Sequence, residues 1–176
     1  MLTRRQFLKV GVASGALLAG AGWLYLRGAP APAPGLKWLD ARGKSIVAAL
    51  APVVLEGSLP EAPPARAQAL AEVVAAFDRA VSGLSPAVQE EIRQLLALLG
   101  IAAGRFIVAG VRSTWAEATP DEVSAFLRRW KGSRFGLLRA GYQALTQLLV
   151  AAWYGNAASW ERIGYPGPPA LGERPA

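Results

Sequence analysis

The chain has 176 residues, 53% of them hydrophobic, enough to bury one core and too apolar for a disordered chain. It contains no Cys and no His, which excludes disulfide frameworks, thiol nucleophiles, iron–sulfur clusters and CxxCH haem attachment, and removes the commonest general base and transition-metal ligand. The net charge is +7, but Arg4, Arg5, Lys9 and Arg27 lie in an acid-free N-terminal stretch, and without them 15 basic residues face 12 acidic ones, too thin an excess for a nucleic-acid-binding surface.

Residues 1–27 read as a targeting segment. Thr3-Arg4-Arg5-Gln6-Phe7-Leu8-Lys9 matches the whole twin-arginine pattern, with Thr3, Arg4, Arg5, Phe7, Leu8 and Lys9 as the export signal. A paired guanidinium fork, then an aromatic and a Leu leading into an apolar run, is an address read by the twin-arginine translocase. Val10–Leu26 follows without a charge, diluted by Gly and Ala. Ala19-Gly20-Ala21 is a small-x-small cleavage site, although cutting there leaves a short apolar region. Ala29-Pro30-Ala31 and Ala31-Pro32-Ala33 are each followed by Pro, which disfavours cleavage. Uncut, the run is just long enough to cross a bilayer, so a cleaved signal peptide and a retained anchor both stay open. Either way the address places the protein in the periplasm. Residues 28–35 alternate Ala and Pro, an extended spacer.

From Leu36 the spacing of apolar residues and the Gly and Pro punctuation predict helices. A first helix runs from Asp40 to Leu55 and ends near Gly57, and a Pro-rich loop covers Leu59–Pro64. Leu70, Val73, Val74, Phe77, Val81 and Leu84 make one face of the next helix. Ser85-Pro86 opens a third as N-cap and first helical position, burying Val88, Ile92, Leu95, Leu96 and Leu99. Gly100–Gly110 is apolar, Gly-broken and helical in pattern. Its glycines are not spaced GxGxxG and no strand precedes them, so no nucleotide fingerprint is present.

Thr119-Pro120-Asp121-Glu122 is a capping box opening a helix with Val123, Phe126, Leu127 and Trp130 on its inner face, stopping at Gly132. The longest helix starts after Ser133, has Phe135, Leu138, Tyr142, Leu145, Leu149 and Ala152 as its inner stripe, and ends at Gly155. No segment alternates at period two. The expected fold is therefore all-α: a small helical bundle, residues 36–169, preceded by an N-terminal signal or anchor helix and followed by a flexible tail, residues 170–176. Arg128, Arg129, Lys131 and Arg134 cluster at a helix end, where cations complement the dipole. The carboxylate pairs Glu90-Glu91 and Asp121-Glu122 sit at helix starts for the same reason rather than for acid–base chemistry.

The C-terminal stretch is unusual in content. Trp153, Tyr154, Trp160, Ile163, Gly164, Tyr165, Pro166, Gly167 and Pro168 combine large aromatics with a strip of Gly and Pro. Trp153 continues the preceding helix and finishes its core stripe, whereas aromatics on a low-entropy backbone are what a protein–protein anchor uses. A capped helix with Trp130 near its end, a Ser133/Arg134 junction, a long helix ending in Trp153-Tyr154, a turn to Trp160, and Ile163-Gly164-Tyr165-Pro166-Gly167-Pro168 resemble the gluconate 2-dehydrogenase subunit 3 family. These are the small or gamma subunits of membrane-associated sugar and polyol dehydrogenases.

The resemblance spans residues 36–169 and is specific from Thr119 onward. It implies a non-catalytic subunit, with no cofactor of its own, that partners a large FAD-dependent dehydrogenase subunit of the glucose-methanol-choline class. Such a subunit supplies the export signal, assists maturation of the flavoprotein, and works beside a cytochrome c subunit that commonly takes the electrons. It implies no nucleic-acid partner. Trp153, Tyr154, Trp160 and the strip Ile163–Pro168 are its expected partner interface, with Trp153 and Tyr154 supporting the rest from the helix end. Some relatives link to the large subunit through Cys; without any, association here is non-covalent. The alternative reading is a free-standing periplasmic helical ligand-binding protein, which needs a concave apolar pocket.

Overall fold

Asp40 starts the first helix by accepting the Gly43 amide at 2.7 Å, one of the four donors a helix N-terminus leaves unpaired. The computed structural model that shows this describes residues 30–160 and 164–166. The leader with Thr3, Arg4, Arg5, Phe7, Leu8 and Lys9, the residues Ile163, Gly167 and Pro168, and the tail 170–176 lie outside the described residues. Within them the protein is all-helical: α1 Ala41–Val54, α2 Pro63–Ser82, α3 Pro86–Gly100, a π-helical turn Gly104–Ala109, α4 Pro120–Lys131, α5 Gly136–Tyr154 and a last turn α6 Ala157–Trp160. None of these helices is long and apolar enough to cross a membrane.

Helix α1 is the centre of the bundle and packs on α2, α3, α4 and α5. Its Ile46, Val47, Leu50 and Ala51, spaced to share one face, are fully buried. Pro52 lacks an amide to continue the ladder, and α1 closes two residues later. The most extensive helix contact is between the two longest helices, α2 and α5. Helices α4 and α5 approach closely because Gly141 has no side chain: a Cβ there would lie 2.6 Å from Cζ3 of Trp130.

The chain enters α1 through a tight loop that Asp78 of α2 holds. The Asp78 carboxylate is 2% exposed and accepts the backbone amides of Lys37, Trp38 and Leu39 at 2.8, 2.9 and 2.7 Å. Just before this loop the Leu36 amide donates to the Ala33 carbonyl at 3.0 Å across Pro34-Gly35, with Gly35 at φ +80°, the pattern of a type II turn. The end of the expected spacer is thus folded back, and Ala33 is buried.

The structure differs from the sequence-based expectation at several points. Helix α2 begins inside the Pro-rich segment, because Pro63 and Pro64 occupy its first two positions, where a missing amide costs nothing. It is also one residue longer than α5, which was expected to be the longest. Ser85 stands at the N-cap of α3 without a side-chain capping bond; Gln89 Nε2 instead donates to the Ser82 and Leu84 carbonyls at 3.3 and 2.9 Å. Val88 and Phe135 are exposed, each at or near a helix start where one turn projects beyond its neighbours.

Gly100–Gly110 is not one regular helix. Ile101 is extended and the π-helical turn follows, leaving carbonyls for side chains to satisfy. Trp115 Nε1 donates to Leu99 O at 2.8 Å, Trp130 Nε1 to Val108 O at 3.1 Å, and Arg129 to Ala109 O. The rings of Trp115, Phe126 and Trp130 pack edge-to-face in series, with centroids 5.7 and 4.7 Å apart.

The capping box at α4 forms as expected, with Glu122 N–H donating to Thr119 Oγ1 at 3.3 Å and Thr119 N–H to Glu122 Oε2 at 3.2 Å. Glu122 also accepts the Ser113 hydroxyl at 2.7 Å and the Arg112 amide at 3.3 Å, which clips the 110–119 connection to the start of α4. The Ser113 hydroxyl first, then the Thr119 and Arg112 amides, holds the Glu122 carboxyl below the ordinary carboxylate range.

Two outcomes follow for stability. Asp78→Ala leaves three amides without their acceptor and is expected to cost about 3 kcal/mol or more in urea unfolding, with Asp78→Asn, which keeps one acceptor oxygen, costing roughly half of that. Because the folded-state pKa of Glu122 is depressed, its stabilisation is complete above the ordinary Glu range and drains away as pH falls through the folded value. The melting-temperature gap between wild type and Glu122→Gln should therefore be widest near neutral pH and shrink as the pH is lowered past the ordinary Glu range.

Candidate functional site

The C-terminal end of α5 builds an aromatic corner. Helix α5 buries Leu145, Leu149 and Ala152, and the same face continues to Trp153, which is 1% exposed. Trp153 therefore belongs to the core, beneath the corner, as the continuation of the helix stripe implied. The reason is the helical period: residue 153 follows 149 by one turn and inherits its inward direction. Tyr154, the next residue, turns outward, is partly exposed, and its hydroxyl shares a 3.2 Å hydrogen bond with Ser58 Oγ.

The helix stops at Gly155, whose amide still reaches Ala151 O at 2.8 Å, and Asn156 ties the turn to α2 by donating Nδ2 to Glu72 Oε2 at 2.7 Å. Ser159 is buried and donates its hydroxyl back to Asn156 O at 2.8 Å, so the short α6 is pinned on its inner side. Trp160 is half-buried, and its Nε1 donates to Tyr154 O at 2.9 Å, capping a carbonyl that α5 cannot use.

Gly164 has φ +67° and nothing near its α-carbon, a left-handed position that Gly adopts without a Cβ penalty. It lets the Tyr165 amide donate to Trp160 O at 3.0 Å, so Tyr165 returns over Trp160. The two rings meet edge-to-face, centroids 5.4 Å apart and planes 81° apart. Gly164, Tyr165 and Pro166 are exposed. The structure thus brings Tyr154, Trp160, Gly164, Tyr165 and Pro166 into one corner, while Ile163, Gly167 and Pro168 lie outside the described residues.

Sequence reasoning missed the supports: Ser58, Glu72, Asn156 and Ser159. Asn156 just past a helix-ending Gly and Ser159 before a Trp are polar residues at turn positions, a signal for local capping; Ser58 and Glu72 are distant in sequence and carry no such signal.

Beside the corner runs an open groove of about 650 Å³ between α1, α4 and α5. Val53, Val54, Leu127 and Val150 give it apolar walls, and Arg128, Lys131, Tyr142 and Tyr154 supply cations and hydroxyls. A second groove, about 470 Å³, lies between α1 and the 115–120 segment. Among the described residues no cluster of acidic side chains has the arrangement of a metal site.

The burial pattern separates two kinds of aromatic. Trp153→Ala should lower stability by about 3–5 kcal/mol, as a large core side chain removed. Trp160→Ala with Tyr165→Ala, on a half-buried ring and an exposed one, should leave the helical circular dichroism intact and the melting temperature within a few degrees of wild type. A collapse of the double variant comparable to that of Trp153→Ala would make the corner part of the core. No protein-family model, curated protein or solved structure matches this chain.

Proposed function

We propose that this chain is the non-catalytic small subunit of a periplasmic FAD-dependent sugar or alcohol dehydrogenase of the glucose-methanol-choline class. It supplies the twin-arginine export signal and assists maturation of the large flavoprotein subunit. The observation that carries the reading is the aromatic corner: the half-buried Trp160 and the exposed Tyr165 meet edge-to-face on a turn braced by Asn156, Ser159 and Gly164. Aromatic side chains on an already ordered backbone lose little entropy on docking and commonly act as interface anchors worth more than about 2 kcal/mol.

The sequence adds the leader at Arg4 and Arg5, the ordered series of landmarks from Thr119 to Pro168, and the lack of His and Cys, which weighs against a catalytic role. In this reading FAD resides in the large subunit, a cytochrome c subunit takes the electrons, and the association is non-covalent. A second reading, a free-standing periplasmic ligand-binding domain, draws on the groove between α1, α4 and α5, whose apolar walls and few polar groups have the composition of a ligand site.

Two variants separate these readings in cells that co-express a large FAD-dependent subunit of this class. Arg4→Lys with Arg5→Lys should strand both chains in the cytoplasm, because Lys lacks the paired planar fork. Trp160→Ala with Tyr165→Ala should leave this chain exported but strand the flavoprotein and abolish its co-purification. Fractionation and dehydrogenase assays measure both. A flavoprotein exported and fully active without this chain would overturn the escort role and move the ligand-binding reading to first place.

A further inference from the structure

We propose that the opposite end of the molecule, formed by the π-helical turn and the start of α5, docks on an anionic lipid surface. Among the described residues the four most exposed large hydrophobic side chains are Phe106, Ile107, Phe135 and Leu137, between 53% and 79% exposed. They come from two segments far apart in sequence that one indole holds together. Trp130 Nε1 is bonded to Val108 O at 3.1 Å, two residues beyond Phe106. The far edge of the same ring lies against Gly141, one turn beyond Leu137. Arg129, bonded to Ala109 O, fixes the π-helical turn to the last turn of α4 a second time. The two apolar pairs therefore border a single rigid junction.

Along the segments that form that junction the charge has one sign. Arg128, Lys131, Arg134 and Arg139 all lie between the last turn of α4 and the first turn of α5, and no Asp or Glu occurs anywhere from Val123 to Trp160. Nor does one occur from Ile101 to Ala116, which covers the π-helical turn. Arg134 stacks on Phe135, its guanidinium carbon 4.9 Å from the ring centroid, and Arg139 Nη1 donates to Ser133 O at 2.6 Å. Cations next to exposed aromatic and aliphatic side chains match the two layers of a membrane interface, anionic headgroups outside and acyl chains within. None of the four apolar residues lines either groove described above, and each is more than half exposed. A fluid lipid surface can close around side chains so exposed.

The geometry is compatible with simultaneous partner binding. Leu137 and Tyr154 are seventeen positions apart on the same helix, roughly 25 Å, so a lipid-docked α5 start leaves the aromatic corner free. The inference does not depend on the subunit reading, since it concerns this chain's own end.

The chain has no Cys, so one introduced thiol reports one position. Full-length Leu137→Cys and Ala87→Cys, the latter at the exposed start of α3, are labelled with a polarity-sensitive fluorophore. They are then mixed with vesicles of phosphatidylcholine containing roughly one quarter phosphatidylglycerol. The expected result is a blue-shifted, at least about twofold brighter signal at position 137 alone, absent on pure phosphatidylcholine and suppressed by adding about 0.5 M NaCl beforehand. Phe106→Ser with Ile107→Ser should weaken vesicle partitioning at least about tenfold, with the far-ultraviolet circular dichroism unchanged.

Equal responses at 87 and 137 would mean that only the leader tethers the chain, and would overturn the proposal. So would equal responses on neutral and anionic vesicles, or no response at either position. A shift at 137 that grows with protein concentration in the absence of vesicles would assign this end to a second copy of this chain instead.

Discussion

The buried carboxylate of Asp78 is the constraint on which the rest of the bundle depends. Three consecutive amides, those of Lys37, Trp38 and Leu39, have no helical partner because they precede α1, and all three converge on its two oxygens. Taking a carboxylate out of water is costly unless hydrogen bonds replace the solvent, and here they do. The result fixes where the chain enters α1 relative to α2. Leu39 goes to the fully buried core, Asp40 is left free to cap α1, and Trp38 is placed where the Arg93 guanidinium lies 5.1 Å from its ring centroid. Since α1 touches every other long helix, an error in its entry would propagate through the whole core.

A second device manages the least regular part of the fold. Between α3 and α4 the backbone abandons α-geometry, and its stray carbonyls are taken up by Trp115, Trp130 and Arg129. The two indoles also have a packing duty: both are buried and bracket Phe126. Combining capping and core in one indole lets a stretch of broken helix sit in an apolar surrounding with the carbonyls of Leu99 and Val108 paired, although Arg105 Nε in the same stretch is buried without a partner among the described residues. It also holds Phe106 and Ile107 at the surface, since the π-helical turn is anchored by its carbonyl side.

Helix α5 joins two ends of different character. Its C-terminal end carries the aromatic corner, braced on α2 through Asn156 and Glu72. Its start carries exposed Phe135 and Leu137 among cations. The proposed dehydrogenase contact and the proposed lipid contact occupy these separate ends, so a single rigid helix would set the spacing between a bound flavoprotein and a membrane surface. Nothing in either proposal requires this chain to perform chemistry itself.

Much of the helical architecture was legible in the residues, and the reasons are local. The start of α1 at Asp40, the Thr119/Glu122 capping box, the inner faces of α2 and α4 and the stop at Gly155 depend on contacts within one or two turns, so spacing alone carries them. The aromatic content of the C-terminal stretch was equally plain. What the sequence left undecided depends on partners distant along the chain. Asp78 sits among Val74, Phe77 and Val81 on an inward face, which marks it as unusual, but its role exists only once the 37–39 loop is folded against it, about forty residues away. The π-helical turn owes its shape to side chains twenty or more residues downstream. Trp153 was legible as the end of a core stripe, but the half-buried Trp160 and exposed Tyr165 sit on a turn braced by Glu72, far back along the chain. Sequence by itself determined where most of the helices begin, end and carry apolar faces, because those are short-range effects. Only the tertiary structure decided which aromatics are exposed and which polar groups are spent inside, because burial and hydrogen bonding are settled by segments that meet only after folding.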